Sequence, residues 1–178
     1  MSDDDQPEFI VCVDTDPVIV RINGKANYLN CSPVNDFFDH ILSEEPRSFL
    51  VDFSKCLGMD STFLGVLAGV ATKTMRQHPP GKVILANLNS QNKQLIRGLG
   101  LHHLPTVQIE DGMEVSADAE SHQRRIEGLD TSKEASPEMI LEAHERLMKL
   151  NRANERRFQD VVKFLRREAE KGDRGVAE

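Results

Sequence analysis

Asp60-Ser61-Thr62 is the triplet whose residue types and placing invite chemistry. An acid and two hydroxyls stand between a short apolar run, Phe49-Leu50-Val51-Asp52-Phe53, and a strongly apolar segment that opens at Phe63. All three are helix-capping types, so one reading is that Asp60 or Ser61 merely caps the following helix. A working hydroxyl is the other. Nucleophilic hydrolysis would want G-x-S-x-G at a strand-to-helix elbow with a histidine partner. Ser61 is flanked instead by Asp60 and Thr62, and no motif places a histidine beside it.

The remaining reactive side chains point elsewhere. His102-His103 follow a helix and read as loop residues rather than ligands. Gly65-x-x-x-Gly69 lies inside the apolar segment, where it suits close packing on a sheet better than a phosphate cradle. Asp52 either orients the loop that carries Ser61 or is a solvated strand end. Cys12, Cys31 and Cys56 are scattered, with no CxxC and no His or acidic cluster at ligand spacing. They read as small packed hydrophobes. No metal, no cofactor and no enzymatic activity are expected.

These residues need elements to hold them. Phe9–Val13 reads as a strand, and Val18, Val20 and Ile22 alternate along a second that Gly24 breaks. Ser32 caps and Pro33 opens a helix with Val34, Phe37, Phe38, Ile41 and Leu42 on one stripe, ended by Pro46. Phe49–Phe53 is a buried strand, 54–59 a loop, and the helix after Asp60 turns Phe63, Leu64, Leu67, Val70, Ala71 and Met75 inward. Lys82–Ala86 is a further strand. Asn89-Ser90 starts a helix stopped by Gly100, and Thr106–Ile109 closes the series. The order β-β-α-β-α-β-α-β predicts an α/β domain over 8–115, with helices against a central mixed sheet.

After it, residues 116–136 are polar and read as a linker. Ser136-Pro137 then opens a single long helix over 137–171. At heptad spacing its seam is Ile140, His144, Leu147, Asn151, Asn154, Phe158, Val161 and Leu165, five of the eight apolar. Asn on such a seam can set register. The reading favours self-association or partner docking through Ile140, Leu147, Asn154, Phe158, Val161 and Leu165 over a helix lying back on its own domain.

Composition bounds the rest. The chain of 178 residues suits one domain plus an appendage, and 39% hydrophobic residues support a core. One Tyr and no Trp argue against a platform for stacking bases. Residues 1–119 carry nine basic and sixteen acidic side chains, so this part repels nucleic acid and anionic membrane and suits a basic protein partner. The acidic start lacks an apolar leader, and no apolar run nears the roughly 18 residues of a membrane span, so no membrane insertion is expected. Reduced cytoplasm is the expected compartment.

The stretch Leu50-Val51-Asp52-Phe53-Ser54 followed by Met59-Asp60-Ser61-Thr62-Phe63-Leu64-Gly65-Val66-Leu67 resembles the signature of STAS domains, bacterial anti-sigma-factor antagonists among them. Val20-Arg21-Ile22-Asn23-Gly24 and Gly98-Leu99-Gly100-Leu101 extend the likeness across 8–115. The resemblance implies phosphorylation at Ser61, with Thr62 as the alternative acceptor. It implies a partner surface of Asn27, Asp60, Ser61, Thr62 and Phe63. Its implied partners are a serine-kinase anti-sigma factor and a serine phosphatase, with ATP belonging to the kinase. Two departures stand on that surface: Phe63 replaces a usual Gly, and Asn27 stands where an acid is common. Two alternatives stand beside this reading: a STAS scaffold that assembles with itself or docks a sensor complex through the 137–171 helix, and, since the family also occurs there, an accessory subunit of a lipid or anion transporter.

The physical case for Ser61 is that a helix N-terminus has unpartnered N–H groups and a positive dipole end. A phosphate is locally stabilised there, by about 0.3–2 kcal/mol from the dipole. Its charge of about −1.5 to −2 beside Asp60 repels a docked neighbour without refolding the domain.

Overall fold

The computed structural model describes residues 8–115 and 126–174. Strands β1 (Phe9–Cys12) and β2 (Val18–Ala26) form an antiparallel pair. Helix α1 (Ser32–Glu44), β3 (Phe49–Met59), α2 (Ser61–Met75), β4 (Val83–Ala86), α3 (Ser90–Gly98) and β5 (Val107–Glu110) follow. A short strand β6 (Ile126–Gly128) precedes α4 (Pro137–Met148) and α5 (Arg152–Arg174). The sheet runs β5-β4-β3-β2-β1-β6, with β2 to β5 parallel and β6 antiparallel to β1. This is the α/β architecture that the alternation of patterns predicts.

Successive parallel strands that are also neighbours need crossovers of one hand, which puts α1, α2 and α3 on one face. Contact of Phe38 edge-on with Phe49 at 5.1 Å, and of Phe9 with a tilted Phe63 ring at 6.0 Å, identifies that face. Period-two alternation supplies its floor: Val18, Val20, Ile22, Phe49, Val51, Phe53, Val83 and Leu85 are all buried. The opposite face is only partly covered, with Ile19, Arg21 and Ile84 half-buried.

Several local readings change. Gly24 does not end β2. It takes φ +78° at a register shift against β3, so the extra residue is absorbed as a bulge and pairing continues to Ala26. The supposed loop 54–59 is strand: β3 pairs with β2 as far as Met59. Cys31, not Ser32, holds the cap position of α1, without a side-chain bond; Ser32 and Pro33 are already in the first turn.

The larger corrections concern the C-terminal third. The stretch 116–136 is not all linker, because Ile126–Gly128 adds a strand to the free edge of β1. Three residues are too few to show a period, so no pattern could announce it. The helix over 137–171 is two helices broken at 149–151. Asn151 accepts the Asn154 N–H through its Oδ1, a capping bond that starts α5 afresh. The two helices fold on one another, tied by Arg166 to Glu145 at 2.8 Å, and α4 lies along α2. Among the described residues no helix is long and apolar enough to cross a membrane.

Candidate functional site

Because β3 runs to Met59 and α2 begins at Ser61, Asp60 alone makes the turn between them. It is fully engaged. Its Oδ1 accepts from Phe63 N–H and its Oδ2 from Tyr28 N–H, both at 2.9 Å, while its own N–H donates to Ala26 O at 3.1 Å. Asp60 is therefore the cap, and it also clips the β2–α1 loop to the start of α2. In that loop Asn27 Oδ1 accepts from Leu29 N–H at 2.9 Å. Ser61 is the first helical residue, at the end where N–H groups lack intrahelical acceptors.

The five residues expected on a partner surface divide. Asn27, Asp60 and Ser61 are half-buried at the surface. Thr62 is 3% exposed and Phe63 0%. Position N3 of α2 points at the sheet, and a phenyl ring there fills the core against Phe9. Phe63 is thus no part of a docking surface, and Thr62 is no alternative acceptor for a modification.

Ser61 has a partner that no local pattern predicts. His144 Nε2 lies 2.8 Å from Ser61 Oγ, and His144 Nδ1 lies 2.7 Å from Ile140 O. A carbonyl only accepts, so Nδ1 carries a proton; in the neutral ring Nε2 is then the acceptor and Ser61 O–H the donor. The imidazole is 5% exposed and meets Phe158 edge-on at 5.4 Å. On its other side Ser61 opens on a surface groove of about 510 Å³ whose walls include Leu64, Gln91, Gln94, Arg157 and Phe158. A serine hydroxyl hydrogen-bonded to an imidazole is the pairing that activates nucleophiles. Here the ring leans on a main-chain carbonyl rather than a carboxylate, and it is enclosed.

The reach of His144 depends on two glycines. A Cβ at Gly65 would stand 2.4 Å from Ala143 O, and one at Gly69 would stand 2.7 Å from the Arg146 guanidinium. The Gly65-x-x-x-Gly69 pattern therefore packs against α4, not against the sheet as its sequence reading had it. α2 is consequently buried from Thr62 to Ala71 without interruption. That was the available signal: a helix apolar on every side needs a cover on both. The seam residues supply it from within the same chain, with Leu147 0%, Asn154 0% and Phe158 8% exposed. Asn154 Nδ2 donates to Leu99 O at 2.9 Å and Leu147 O at 2.8 Å, stitching the hairpin turn to the end of α3. These three are not free for oligomerisation in this fold. Ile140 and Leu165 are half-buried, and of the predicted set only Val161 is well exposed, at 42%.

Asp52 does not orient Ser61. It lies on the opposite face of the sheet, where its carboxylate receives Arg21 Nε at 2.9 Å, Asn87 Nδ2 at 3.1 Å, and Ser54 through both its N–H and its hydroxyl. Burial raises its carboxyl, but those donors together outweigh burial and hold it below the usual carboxylate range. Arg21 and Asn87 in turn bind the main chain of Val115 and Met113, so the cluster fastens the chain after β5 over the sheet. Cys31, beneath the Asp60 turn, is no nucleophile: burial, then the Asp60 charge, push its thiol up to about 12. The His102 and His103 rings lie against each other, tilted, with centroids 3.8 Å apart in a short 3-10 turn, Leu101–His103.

Comparison with known proteins yields one family. The model of the STAS domain matches residues 9–113. The Bacillus cell fate determinant SpoIIAA in its phosphorylated form is similar at a TM-score of 0.50 and 17% identity, over 60% of this chain and 92% of that one. The anti-sigma factor antagonist SpoIIAA in its unphosphorylated form is similar at a TM-score of 0.47 and 20% identity, over 60% of this chain and 89% of that one. At such identities the likeness is one of fold. No curated protein sequence matches the chain. His144 and the hairpin that carries it lie outside the matched residues.

Proposed function

The chain belongs to the STAS domain family, and on that premise we propose that it is a non-enzymatic regulatory binding module whose partner affinity is set by phosphorylation of Ser61. One observation carries the reading: Ser61 is the first residue of α2, directly after a fully engaged cap, with its oxygen at the edge of a surface groove. A phosphoryl group there meets the positive end of α2 and free N–H groups, so the domain tolerates it. Its charge falls beside Asp60 and the exposed Tyr28 and Leu29 loop, where it repels a partner docked on that end. The partners in this reading are a serine-kinase anti-sigma factor, which brings the ATP, and a serine phosphatase.

The experiment is phosphosite mapping by mass spectrometry on protein from native cells, then with the kinase that co-purifies with it. Phosphate on Ser61, absent in Ser61→Ala, is the expected result; incorporation that persists in Ser61→Ala removes this residue from the role. Ser61→Asp is expected to lose partner affinity. Equal binding by Ser61→Asp and wild type would defeat the repulsion mechanism.

The scaffold reading draws on one separate observation. On α5, Val161 and Phe164 are 42% and 61% exposed, which leaves an apolar strip unpartnered. Light scattering on the full chain and on Phe164→Asp tests it. A dimer abolished by Phe164→Asp, together with no phosphate on Ser61, favours the scaffold.

A further inference from the structure

We propose that the α4–α5 hairpin is a removable guard over Ser61, so that docking of the hairpin and modification of the serine exclude one another. The inference rests on the reading that Ser61 is the modified residue, and it supplies the regulation of that site.

The first ground is occupancy. The outward face of α2, which would otherwise be the open surface beside Ser61, is filled by α4. The fit is close enough that main chain meets main chain over Gly65, with Ala143 and Leu147 buried against α2. The second ground is the hydroxyl itself. Phosphoryl transfer to Ser61 forms an Oγ–P bond, breaks the bond from the γ-phosphorus to the bridging oxygen of ATP, and hands the hydroxyl proton to a base of the kinase. The incoming phosphorus must come within roughly 3–3.5 Å of Oγ in line, and the base must reach the proton. In the docked chain the Ser61 hydroxyl already donates that proton to His144 Nε2, with Oγ and Nε2 2.8 Å apart, and the ring, with Phe158 behind it, walls that side. A kinase has to displace the hairpin before it can align.

The third ground is reciprocity. If docking disfavours the phosphorylated serine, phosphorylation must disfavour docking by the same factor. The chemistry agrees. A phosphate ester has no hydrogen to give Nε2, and with the ring neutral its oxygens would face the nitrogen's lone pair. The hairpin is otherwise held by packing and by two asparagines on Leu99 O, Asn151 at 3.3 Å and Asn154 at 2.9 Å, neither of which involves Ser61. Its release leaves the sheet and α1 to α3 in place. Arg157 on the groove wall, or His144 itself once protonated on Nε2, would reverse the outcome by clamping the phosphate, and the test is built to expose that.

Two measurements on the full chain decide it. Phosphoserine is installed at position 61 during translation, and amide hydrogen exchange is followed. The expected result is at least tenfold faster exchange across α4 with β2 and β3 unchanged; equal or slower exchange, the signature of a clamp by Arg157 or His144, overturns the guard. Separately, Ser61→Cys is alkylated with iodoacetamide. Cys12, Cys31 and Cys56 are buried, so position 61 dominates the signal. Adding Gly65→Ala, which clashes with Ala143 while favouring helix in α2, is expected to raise the alkylation rate at least tenfold; an unchanged rate overturns the proposal. Should Gly65→Ala fold poorly, Gly69→Ala replaces it, since its methyl meets only the flexible end of Arg146, with a smaller rise expected. Neither measurement uses a kinase. Release of the hairpin in a protein that never carries phosphate in cells would sink the phosphorylation reading; phosphate in cells with the hairpin still docked would sink the guard alone.

Discussion

At the residue scale the site turns on which atoms of Asp60, Ser61 and Asp52 are already engaged. Asp60 uses both carboxylate oxygens on main-chain N–H groups of two segments. Asp60→Ala is therefore expected to cost about 1–2 kcal/mol in urea unfolding, at the upper end for a lost cap. Ser61→Ala should cost less, about 0.5–1.5 kcal/mol for one side-chain hydrogen bond. A larger loss for Ser61→Ala than for Asp60→Ala would contradict the division of labour between cap and acceptor. Asp52 contributes to the acid behaviour. Its folded carboxyl is held low, so its contribution is complete above the unfolded value of about 4 and drains away as pH falls through the folded one. Between pH 6 and 3 the wild type should lose stability more steeply than Asp52→Asn, which has no carboxyl there to titrate. Parallel curves would show that other carboxylates govern the acid limb.

At the element scale the informative comparison is between α2 and the seam of α4 and α5. Both are apolar at helical spacing, and both seek a partner. Because each covers the other, seam residues expected to recognise a second chain hold this one together. Leu147 is 0% exposed, and Leu147→Ala should destabilise by about 2–5 kcal/mol. Asn154→Ala removes two hydrogen bonds, to Leu99 O and Leu147 O, at a cost of about 1–3 kcal/mol. If the seam served only intermolecular contacts, both variants would leave the monomer's unfolding midpoint in place and shift only its concentration dependence.

At the scale of the whole molecule, the hairpin is the last layer added to a sheet-and-helix core. It is held to that core by packing on α2, by the His144–Ser61 hydrogen bond and by two asparagines on Leu99 O. The hairpin should then open below the global free energy of unfolding, as a separate cooperative unit. In native-state hydrogen exchange, α4 amides are expected to show a smaller denaturant dependence than amides of β2 and β3. Identical slopes in the two regions would mean that the hairpin leaves only when everything unfolds.

What could be read without coordinates was whatever depends on neighbours in the chain. Alternating Val18, Val20 and Ile22, the stripe on α1, the Asn89 cap and the helix start at Asp60-Ser61 are local, because period and capping involve residues within a few positions of each other. The α/β class follows from their order. The bulge at Gly24, the three-residue β6 and the break before α5 escaped because their stabilising partners are remote or their runs too short to show a period. His144 escaped for the same reason at greater distance: 83 residues separate it from Ser61, and only the packing of α4 over Gly65 and Gly69 brings the imidazole to the hydroxyl. Sequence alone located the serine and its helix end; tertiary packing decided what covers it, since contact between distant segments is set by how apolar faces are jointly buried and not by any spacing along the chain.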